Sequence, residues 1–339
     1  QREARKIWCI KGGPGTGKSS FMKKVGETML AEGHDVDFLH CSSDSNSLDG
    51  ILLRDLNVAM VDATAPHVID PINPGAVDVI LNLGDYWNEK GIREHRKEII
   101  ETNERVGAIF ARVYNYLRAA DSMYDNVAQI NSKGLSRSVT YGIAMDIIKD
   151  EMGGAPGVPH TGKVKKFFAS AITPDGLVNF LPGLIDRYKK VYVLKAEIGA
   201  GAEDIVAMIM EAAISRGFDL EAFYCPMKPE KKLEHLLVPQ LSLAVVTSNI
   251  YHDAGSGGHA HGRIEIDLCR KDNFAETLLQ EEIASDSGGR MKELLMKAVY
   301  YLGKAKGEHD RLESYYIPYM DFKGIEKLRR DIEEQIRQI

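Results

Sequence analysis

The chain has 339 residues, 44% of them hydrophobic and 27% charged, with a formal net charge of −6. This length suffices for two domains of ordinary size, and the composition is typical of a globular protein with a buried core. The acidic balance argues against a nucleic-acid-binding protein, and no apolar stretch reaches the length of a membrane span. The four cysteines are widely spaced, so we expect reduced thiols and a cytoplasmic protein.

The first predicted element is a strand over about residues 6–10, and a phosphate-binding loop follows it directly. Residues 12–19 read GGPGTGKS, the Walker A pattern of a P-loop. The glycines let backbone amides point inward at phosphate oxygens, and the helix predicted to begin near Ser19 presents its positive N-terminal end to the anion. Lys18 is expected to bind the β- and γ-phosphates, and Ser19 to ligate Mg²⁺. Contacts with ATP are predicted for Gly13, Pro14, Gly15, Thr16, Gly17, Lys18, Ser19 and Ser20.

Two acidic residues follow the next predicted strands. Asp62 closes the mostly apolar strand 56–62, where P-loop domains keep a carboxylate that orients Mg²⁺ through water, and a capped turn is the alternative. Asp44 follows the second strand, where a kinase would place a general base for the acceptor hydroxyl, and an Asx-turn is the alternative. The candidate catalytic residues are therefore Lys18, Asp62 and Asp44, and the candidate metal ligands are Ser19 and Asp62.

A long helical region is predicted over residues 85–150, because apolar and aromatic residues recur there at intervals of three and four. One arginine of this region is expected to contact the γ-phosphate, although most helix arginines are solvated or paired. The candidates are Arg93, Arg96, Arg105, Arg112 and Arg118. Residues 153–164 are rich in glycine and proline near their start, so we predict a linker there.

The second half of the chain repeats the first. Residues 194–202 lie over residues 10–18 at an offset of 184, and residues 233–246 lie over residues 48–61 at an offset of 185. An ordered series of matches at a nearly constant offset predicts an internal duplication.

The nucleotide residues are absent from the second copy. Ala202 stands at the position of Lys18, Glu203 at that of Ser19, and Thr247 at that of Asp62. A glutamate where phosphate and Mg²⁺ should meet repels the ligand. We therefore predict that the second half keeps the scaffold and has lost the nucleotide site.

Several histidines also fall in this repeat. His67 lies over His252, and because the second copy lacks the nucleotide residues, a structural role for both is favoured over catalysis. The glycine-rich segment that follows His252 adds His259 and His261, which leaves a metal site in that loop as an open alternative to a merely mobile loop.

The predicted fold is α/β, with two tandem P-loop domains that each have a doubly wound, mainly parallel sheet and helical extensions. The ATP-binding domain covers residues 1–152 with the helical region 85–150, the linker covers 153–164, and the degenerate domain with C-terminal helices covers 165–339. Since the chain begins with Gln1 only a few residues before its first strand, we expect the natural protein to have further residues upstream.

Four phrases of the sequence resemble a bacterial family of tandem P-loop proteins described as ATPases or nucleotide-kinase-like proteins without an established function. The phrases are KGGPGTGKSS at residues 11–20, HCSSD at 40–44, DATAPH at 62–67 and NLGDYW at 82–87. The resemblance implies the fold and ATP binding, but no substrate. In that family the second copy can carry its own phosphate loop, and Ala202 and Glu203 depart from this.

Slow Mg²⁺-dependent ATP hydrolysis coupled to a conformational change is the first hypothesis. Ala63 follows Asp62 at the position where many motor ATPases have a water-activating glutamate, which disfavours fast hydrolysis. The second hypothesis is a small-molecule or nucleotide kinase with Asp44 as base, and the third is a nucleotide-sensing scaffold without turnover. Adenine is favoured because no Asn-Lys-x-Asp guanine signature occurs. The expected partners are ATP and a small molecule or protein of unknown identity, with a homodimer as an option, and neither a membrane nor a nucleic acid.

Overall fold

The structure is a computed structural model that describes residues 4–65, 68–134, 136–154, 160–255, 262–268 and 278–339. The chain divides into two compact units. The first unit consists of Gln1–Val113, Thr173–Asp175 and Tyr300–Ile339, and the second of Tyr114–Ile172 and Gly176–Val299. The helices of the described residues include none that is long and apolar enough to cross a membrane.

Both halves of the chain combine runs of consecutive strands with helices. The first half contains β1 (Lys6–Lys11), α1 (Lys18–Ala31), β2 (Val36–His40), β3 (Leu48–Leu53), β4 (Val58–Asp62), β5 (Asp78–Asn82), α2 (Glu89–Glu94), α3 (Arg96–Asn131) and α4 (Arg137–Met152). The second half begins with β6 (Val164–Phe167), β7 (Ser170–Thr173), β8 (Gly176–Asn179), α5 (Leu181–Ile185), β9 (Lys190–Lys195), α6 (Ala202–Ser215) and β10 (Leu220–Tyr224). It continues with β11 (Leu233–Val238), β12 (Leu243–Ser248), β13 (Arg263–Asp267), α7 (Leu278–Ser314) and α8 (Phe322–Arg337).

The sheet of the first unit has the strand order β2-β3-β4-β1-β5. β1 runs parallel to β4 and β5, whereas β3 runs antiparallel to β2 and β4. The sheet is therefore mixed, and the prediction of a mainly parallel sheet is wrong. The mixed directions come from β3, a strand that the apolar pattern does not predict. β3 follows β2 after residues 41–47, and a connection this short can join only antiparallel neighbours.

The main sheet of the second unit has the order β13-β9-β12-β11-β10-β6. It too is mixed, since β9 is parallel to β12 and β13, while β11 is antiparallel to β10 and β12. Apart from β6, which adds to the edge beside β10, the strand order and directions are those of the first sheet.

Unusual backbone angles recur at the same offsets. Gly15 and Gly17 have φ angles of 67° and 86°, and Gly199 and Gly201 have 78° and 79°. Asn57 (φ 53°) and Ser242 (φ 49°) are the only non-glycine residues with positive φ among the described residues, and their sequence positions differ by 185. Since such angles are rare outside glycine, this pairing is evidence for two similar backbones that does not depend on side-chain similarity.

Each sheet is covered by the helix that follows its central strand and by one further helix. In the second unit, α6 and α4 contribute Ile209 and Ile147 to the core. In the first unit, α1 contributes Met22, and α8 contributes Ile325 and Ile332. The C-terminal helix thus completes the core of the first unit, although the sequence pattern predicts it as part of the domain 165–339. The division between the units falls within α3, and residues 155–159 of the predicted linker lie outside the described residues.

Candidate functional site

The loop of residues 12–17 joins the end of β1 to the first turn of α1. Gly17 caps the helix in the left-handed conformation, which a residue with a Cβ adopts only at a cost. Thr16 is fully buried, and its hydroxyl donates to the carbonyl of Gly13 at 2.8 Å. A Cβ on Gly12 would lie 2.7 Å from the Thr16 hydroxyl, so the closely spaced glycines are required by the shape of the loop.

Lys18 lies at the start of α1 and folds back over the loop. Its Nζ donates to the carbonyls of Gly12 at 3.1 Å and Gly13 at 2.9 Å, and it lies 3.6 Å from Oδ2 of Asp62. Burial lowers the pKa of Lys18, and the nearby carboxylates of Asp62 and Glu313 oppose this shift without cancelling it. The site therefore holds a largely desolvated ammonium group that two acids stabilise.

Ser19 and Asp62 are both engaged close to the loop. The Ser19 hydroxyl accepts a hydrogen bond from the amide of Leu48 at 2.9 Å, and Asp62 Oδ1 accepts from the amide of Thr64 at 2.9 Å. Asp62 thus caps a turn, as one interpretation held, while its second oxygen faces Lys18. Because β4 is parallel to β1 and pairs Asp62 with Ile10, the acid lies at the same sheet edge as the loop.

The remaining predicted loop residues differ in accessibility. Pro14, like Ser19, is partly buried, and Ser20 is exposed.

Asp44 is used by its own turn. Its carboxylate accepts from the Ser47 hydroxyl at 2.9 Å and from the Asn46 amide at 3.2 Å, and it lies 3.5 Å from Nζ of Lys306. Burial favours the neutral form, but these hydrogen bonds and the lysine hold the pKa of Asp44 below its ordinary value. This geometry matches the Asx-turn interpretation, since both carboxylate oxygens are already engaged.

Four of the five candidate arginines contact neighbouring side chains. Arg93 pairs with Glu89 one helical turn away at 2.6 Å, and Arg105 pairs with Glu308 at 2.8 Å. Arg118 donates to Asn115, and Arg112 lies 5.5 Å above the ring of Tyr301. For these four arginines the structure favours the interpretation as paired helix residues.

Residues from the far end of the sequence lie against the loop, and we call this segment, residues 313–322, the C-terminal cover. The carboxylate of Glu313 accepts a hydrogen bond from the amide of Gly15 at 3.3 Å. The rings of Tyr316 and Phe322 lie 3.0 and 3.5 Å from where a Cβ would stand on Gly13 and Gly17. A carboxylate therefore binds a loop amide of the kind that P-loops use for phosphate. No spacing rule in the sequence links residues almost 300 positions apart, so this contact was not predicted.

The C-terminal cover is anchored to the segment that follows β5. The amide of Asp321 donates to the carbonyl of Tyr86 at 2.7 Å, and the Tyr319 carbonyl accepts from the amide of Asn88 at 2.8 Å. The Tyr319 hydroxyl lies 3.1 Å from Nε2 of His95. These bonds involve backbone and side chains alike, so the cover is a specifically docked element of the first unit.

The corresponding loop of the second unit has the same backbone but other side chains. Gly201 caps α6 in the left-handed conformation, as Gly17 caps α1. The end of α3 lies against this loop, since a Cβ on Gly199 would be 2.6 Å from the Cα of Ala128. In place of Lys18 there is the buried methyl group of Ala202. The second loop is thus covered in a similar manner and carries no cation.

The histidines of the repeat are only partly described. His67, His259 and His261 lie outside the described residues. His252 is buried, with Nδ1 3.2 Å from the Ser170 hydroxyl and Nε2 2.8 Å from Oε2 of Glu234.

Comparisons of the chain with protein-family models, with curated proteins and with solved structures found no match. The resemblance to tandem P-loop proteins therefore rests on the four quoted phrases. Support for a function comes from the geometry of the loop and its surroundings.

Proposed function

We propose that the chain binds ATP with Mg²⁺ at residues 12–19 and hydrolyses it slowly, with binding coupled to displacement of the C-terminal cover. The observation that carries this proposal is the convergence of Lys18 and Asp62 at one sheet edge, with the two charged groups 3.6 Å apart. A lysine at the start of the helix and an acid at the end of the neighbouring parallel strand are the arrangement that binds phosphate and orients Mg²⁺ in P-loop enzymes. Ser19 follows the lysine as the metal-ligating hydroxyl.

We further propose that the two units arose by duplication of one P-loop domain, of which only the first kept the nucleotide site. The common strand order, the common strand directions and the matched positive φ angles support this. Glu203 at the metal position and Ala202 at the lysine position make the second loop unsuited to a polyphosphate.

Slow turnover of ATP is expected because the residue that follows Asp62 is not acidic. Ala63 is buried and follows Asp62, so this position offers no carboxylate to activate water. Hydrolysis would then depend on Lys18, which would neutralise phosphate charge, and on a metal ion held by Ser19 and Asp62, with no strong general base to activate water.

Contacts between the C-terminal cover and the loop are the reason to expect that ATP binding moves the cover. A phosphate group and the carboxylate of Glu313 are both anions, and they would compete for the amide of Gly15. Binding of ATP is therefore expected to release Glu313 and to loosen the contacts of Tyr316 and Phe322. The same observation favours a nucleotide sensor without turnover as the second candidate. A kinase that uses Asp44 as base has less support, because both oxygens of that carboxylate are engaged in its own turn.

The test combines ATP binding with single-turnover hydrolysis. Lys18→Ala should weaken ATP binding by about 2–3 kcal/mol, or roughly 30- to 150-fold, because it removes charge-assisted hydrogen bonds to phosphate. Lys23→Ala is the matched control, since Lys23 is exposed on the same helix. Equal ATP affinity in the Lys18 variant and the wild type would refute the site.

Asp62→Asn separates the two candidates. For an ATPase, the variant should keep ATP binding and lose turnover by on the order of 100-fold, the effect of removing one preorganised transition-state contact. Tight binding by the wild type with no release of labelled phosphate would instead support the sensor.

A further inference from the structure

The second unit contains a buried cluster of three side chains that are common metal ligands. They are Cys225, which directly follows β10, Glu234 in β11, and His252, which follows β12. Their relative exposures are 5%, 1% and 6%, and their ligand atoms all lie within 4.8 Å of one another. We propose that these three residues bind a thiophilic divalent cation, with zinc as the expected ion.

The topology of the sheet explains why the three residues meet. β10 and β11 are antiparallel, so the end of β10 lies beside the start of β11, and the amide of Cys225 donates to the carbonyl of Lys232 at 2.9 Å. β11 and β12 are also antiparallel, and the Thr247 hydroxyl near the end of β12 donates to the carbonyl of Glu234 at 2.9 Å. All three ligands therefore lie at one edge of a rigid sheet, which suits a pre-organised site.

Neighbouring side chains orient two of the ligands and leave one atom of each directed at the other. Ser170 contacts Nδ1 of His252 at 3.2 Å, and Lys232 donates to Oε1 of Glu234 at 2.8 Å. The atoms left over, Nε2 of His252 and Oε2 of Glu234, lie 2.8 Å apart. Outer-shell partners of this kind are the usual means by which proteins hold metal-binding histidines and carboxylates.

Oε2 of Glu234 is buried at the centre of the cluster. Among the described residues, this oxygen faces only the imidazole of His252, whose Nε2 lies within ion-pair distance. A buried carboxylate oxygen is costly unless a donor or a cation faces it. A cation bound by the thiolate, the imidazole and this oxygen would replace the imidazole N–H as the partner of the carboxylate.

The set of donor atoms and the adjoining space indicate the kind of ion. A thiolate with an imidazole and a carboxylate favours zinc over Mg²⁺ or Ca²⁺, which prefer oxygen ligands. A cavity of about 50 Å³ adjoins all three residues and is also lined by Asn249, Tyr251 and Met291 among others. Three protein ligands beside an open position are typical of zinc sites that bind water or a small ligand.

The same kinds of side chain occur at the matching positions in the first half of the chain. Cys41, Asp49 and His67 stand at the positions of Cys225, Glu234 and His252. A cysteine, an acid and a histidine thus remain in the second half, although the lysine and serine of its loop are replaced. Cys41 and Asp49 also interact in the first unit, while His67 lies outside the described residues.

The experiment is metal titration of the full chain after removal of bound metal with a chelator. Zn²⁺ alone should bind at one equivalent to this site, and Co²⁺ as a spectroscopic substitute should give a thiolate-to-cobalt charge-transfer band. Cys225→Ser should abolish that band and weaken Zn²⁺ binding by more than the roughly 10- to 100-fold that outer-shell changes produce. Ser170→Ala should keep the band and weaken binding by about 10-fold.

Two controls make the result specific. Cys9→Ser removes another buried cysteine and should leave the band unchanged, and Lys18→Ala should bind Zn²⁺ like the wild type because it alters only the ATP site. Should Cys225→Ser fail to fold by circular dichroism, His252→Gln is the second variant, with a retained band but weaker binding and altered visible absorption. A folded wild type without the band, or a band that survives in folded Cys225→Ser, would overturn the proposal.

Discussion

The two loops that join a central strand to a helix, residues 12–17 and 196–201, have similar backbones and opposite chemistry. Both contain two left-handed glycines, and both are covered by the end of a long helix. The first loop is followed by Lys18 and Ser19, and the second by Ala202 and Glu203. The shape of such a loop is set by its glycines, and under the proposed function its capacity to bind an anion depends on the side chains that follow.

The segments that cover the two loops also differ in charge. Glu313 presents a carboxylate to the amide of Gly15, and at the second loop the main-chain atoms of Ala128 approach Gly199. Asn131 also donates to the carbonyl of Ile198 at 2.7 Å. An acidic residue thus covers the loop that carries a lysine, and a neutral segment covers the loop that carries none. This is the pattern expected if the first cover competes with an anionic ligand and the second is purely structural.

The largest effect on ATP affinity is expected from exchanging Ser19 and Glu203, the residues that follow Lys18 and Ala202. Ser19→Glu places the second loop's residue in the first loop, and we expect loss of detectable Mg²⁺–ATP binding because a carboxylate replaces the metal-binding hydroxyl. The reciprocal change Glu203→Ser should leave ATP affinity as in the wild type. Isothermal titration calorimetry measures both. Reduced affinity in Glu203→Ser with intact affinity in Ser19→Glu would reverse the assignment of the two loops.

The next largest effect is a loss of stability when a helix that covers one of the sheets loses a buried side chain. Ile332 on α8 is buried in the first unit, so Ile332→Ala should lower the free energy of unfolding by about 2–5 kcal/mol. Both tryptophans of the chain, Trp8 and Trp87, belong to this unit, so tryptophan fluorescence in urea reports its unfolding. Ile148→Ala on α4 is the control, because that residue is buried in the second unit. An unchanged tryptophan transition in Ile332→Ala would contradict the assignment of α8 to the first unit.

A smaller effect should come from the cover itself. Glu313→Gln keeps the size of the side chain and removes its charge, and ATP should then bind roughly 10-fold more tightly, equivalent to about 1.4 kcal/mol. Asp310→Asn removes an exposed acid on the same helix and should change ATP affinity little. Competition binding with a fluorescent ATP analogue measures the difference. Weaker binding in Glu313→Gln would mean that the carboxylate assists the nucleotide instead of competing with it.

An effect of similar size tests whether the two backbones are alike. Gly17→Ala and Gly201→Ala each force a Cβ into the left-handed region, which costs about 1–2 kcal/mol. Similar losses of stability in urea unfolding are expected from the two variants, whatever each loop binds. A loss in Gly17→Ala alone would show that the second loop does not depend on the left-handed glycine.

The local parts of this protein could be predicted from its sequence. Strand β1, the loop with Gly15 and Gly17, helix α1 and the position of Asp62 at the end of β4 all follow from short-range rules of glycine conformation and apolar patterning. Strand β3 is not predicted from the sequence because Gly50 interrupts its apolar pattern. In the structure a Cβ on Gly50 would lie 2.9 Å from the carbonyl of Met60, so this glycine permits close strand pairing, which no local pattern reveals.

The sequence by itself determined which loop carries the cation, because the identities of Lys18 and Ala202 do not depend on folding. Only the tertiary structure decided that α8 completes the first unit, that Glu313 lies against Gly15, and that Cys225, Glu234 and His252 form one cluster. The physical reason is that glycine angles and helix periodicity act within a few residues. The later contacts join segments far apart in the chain, and these form only when strand pairing and core packing bring them together.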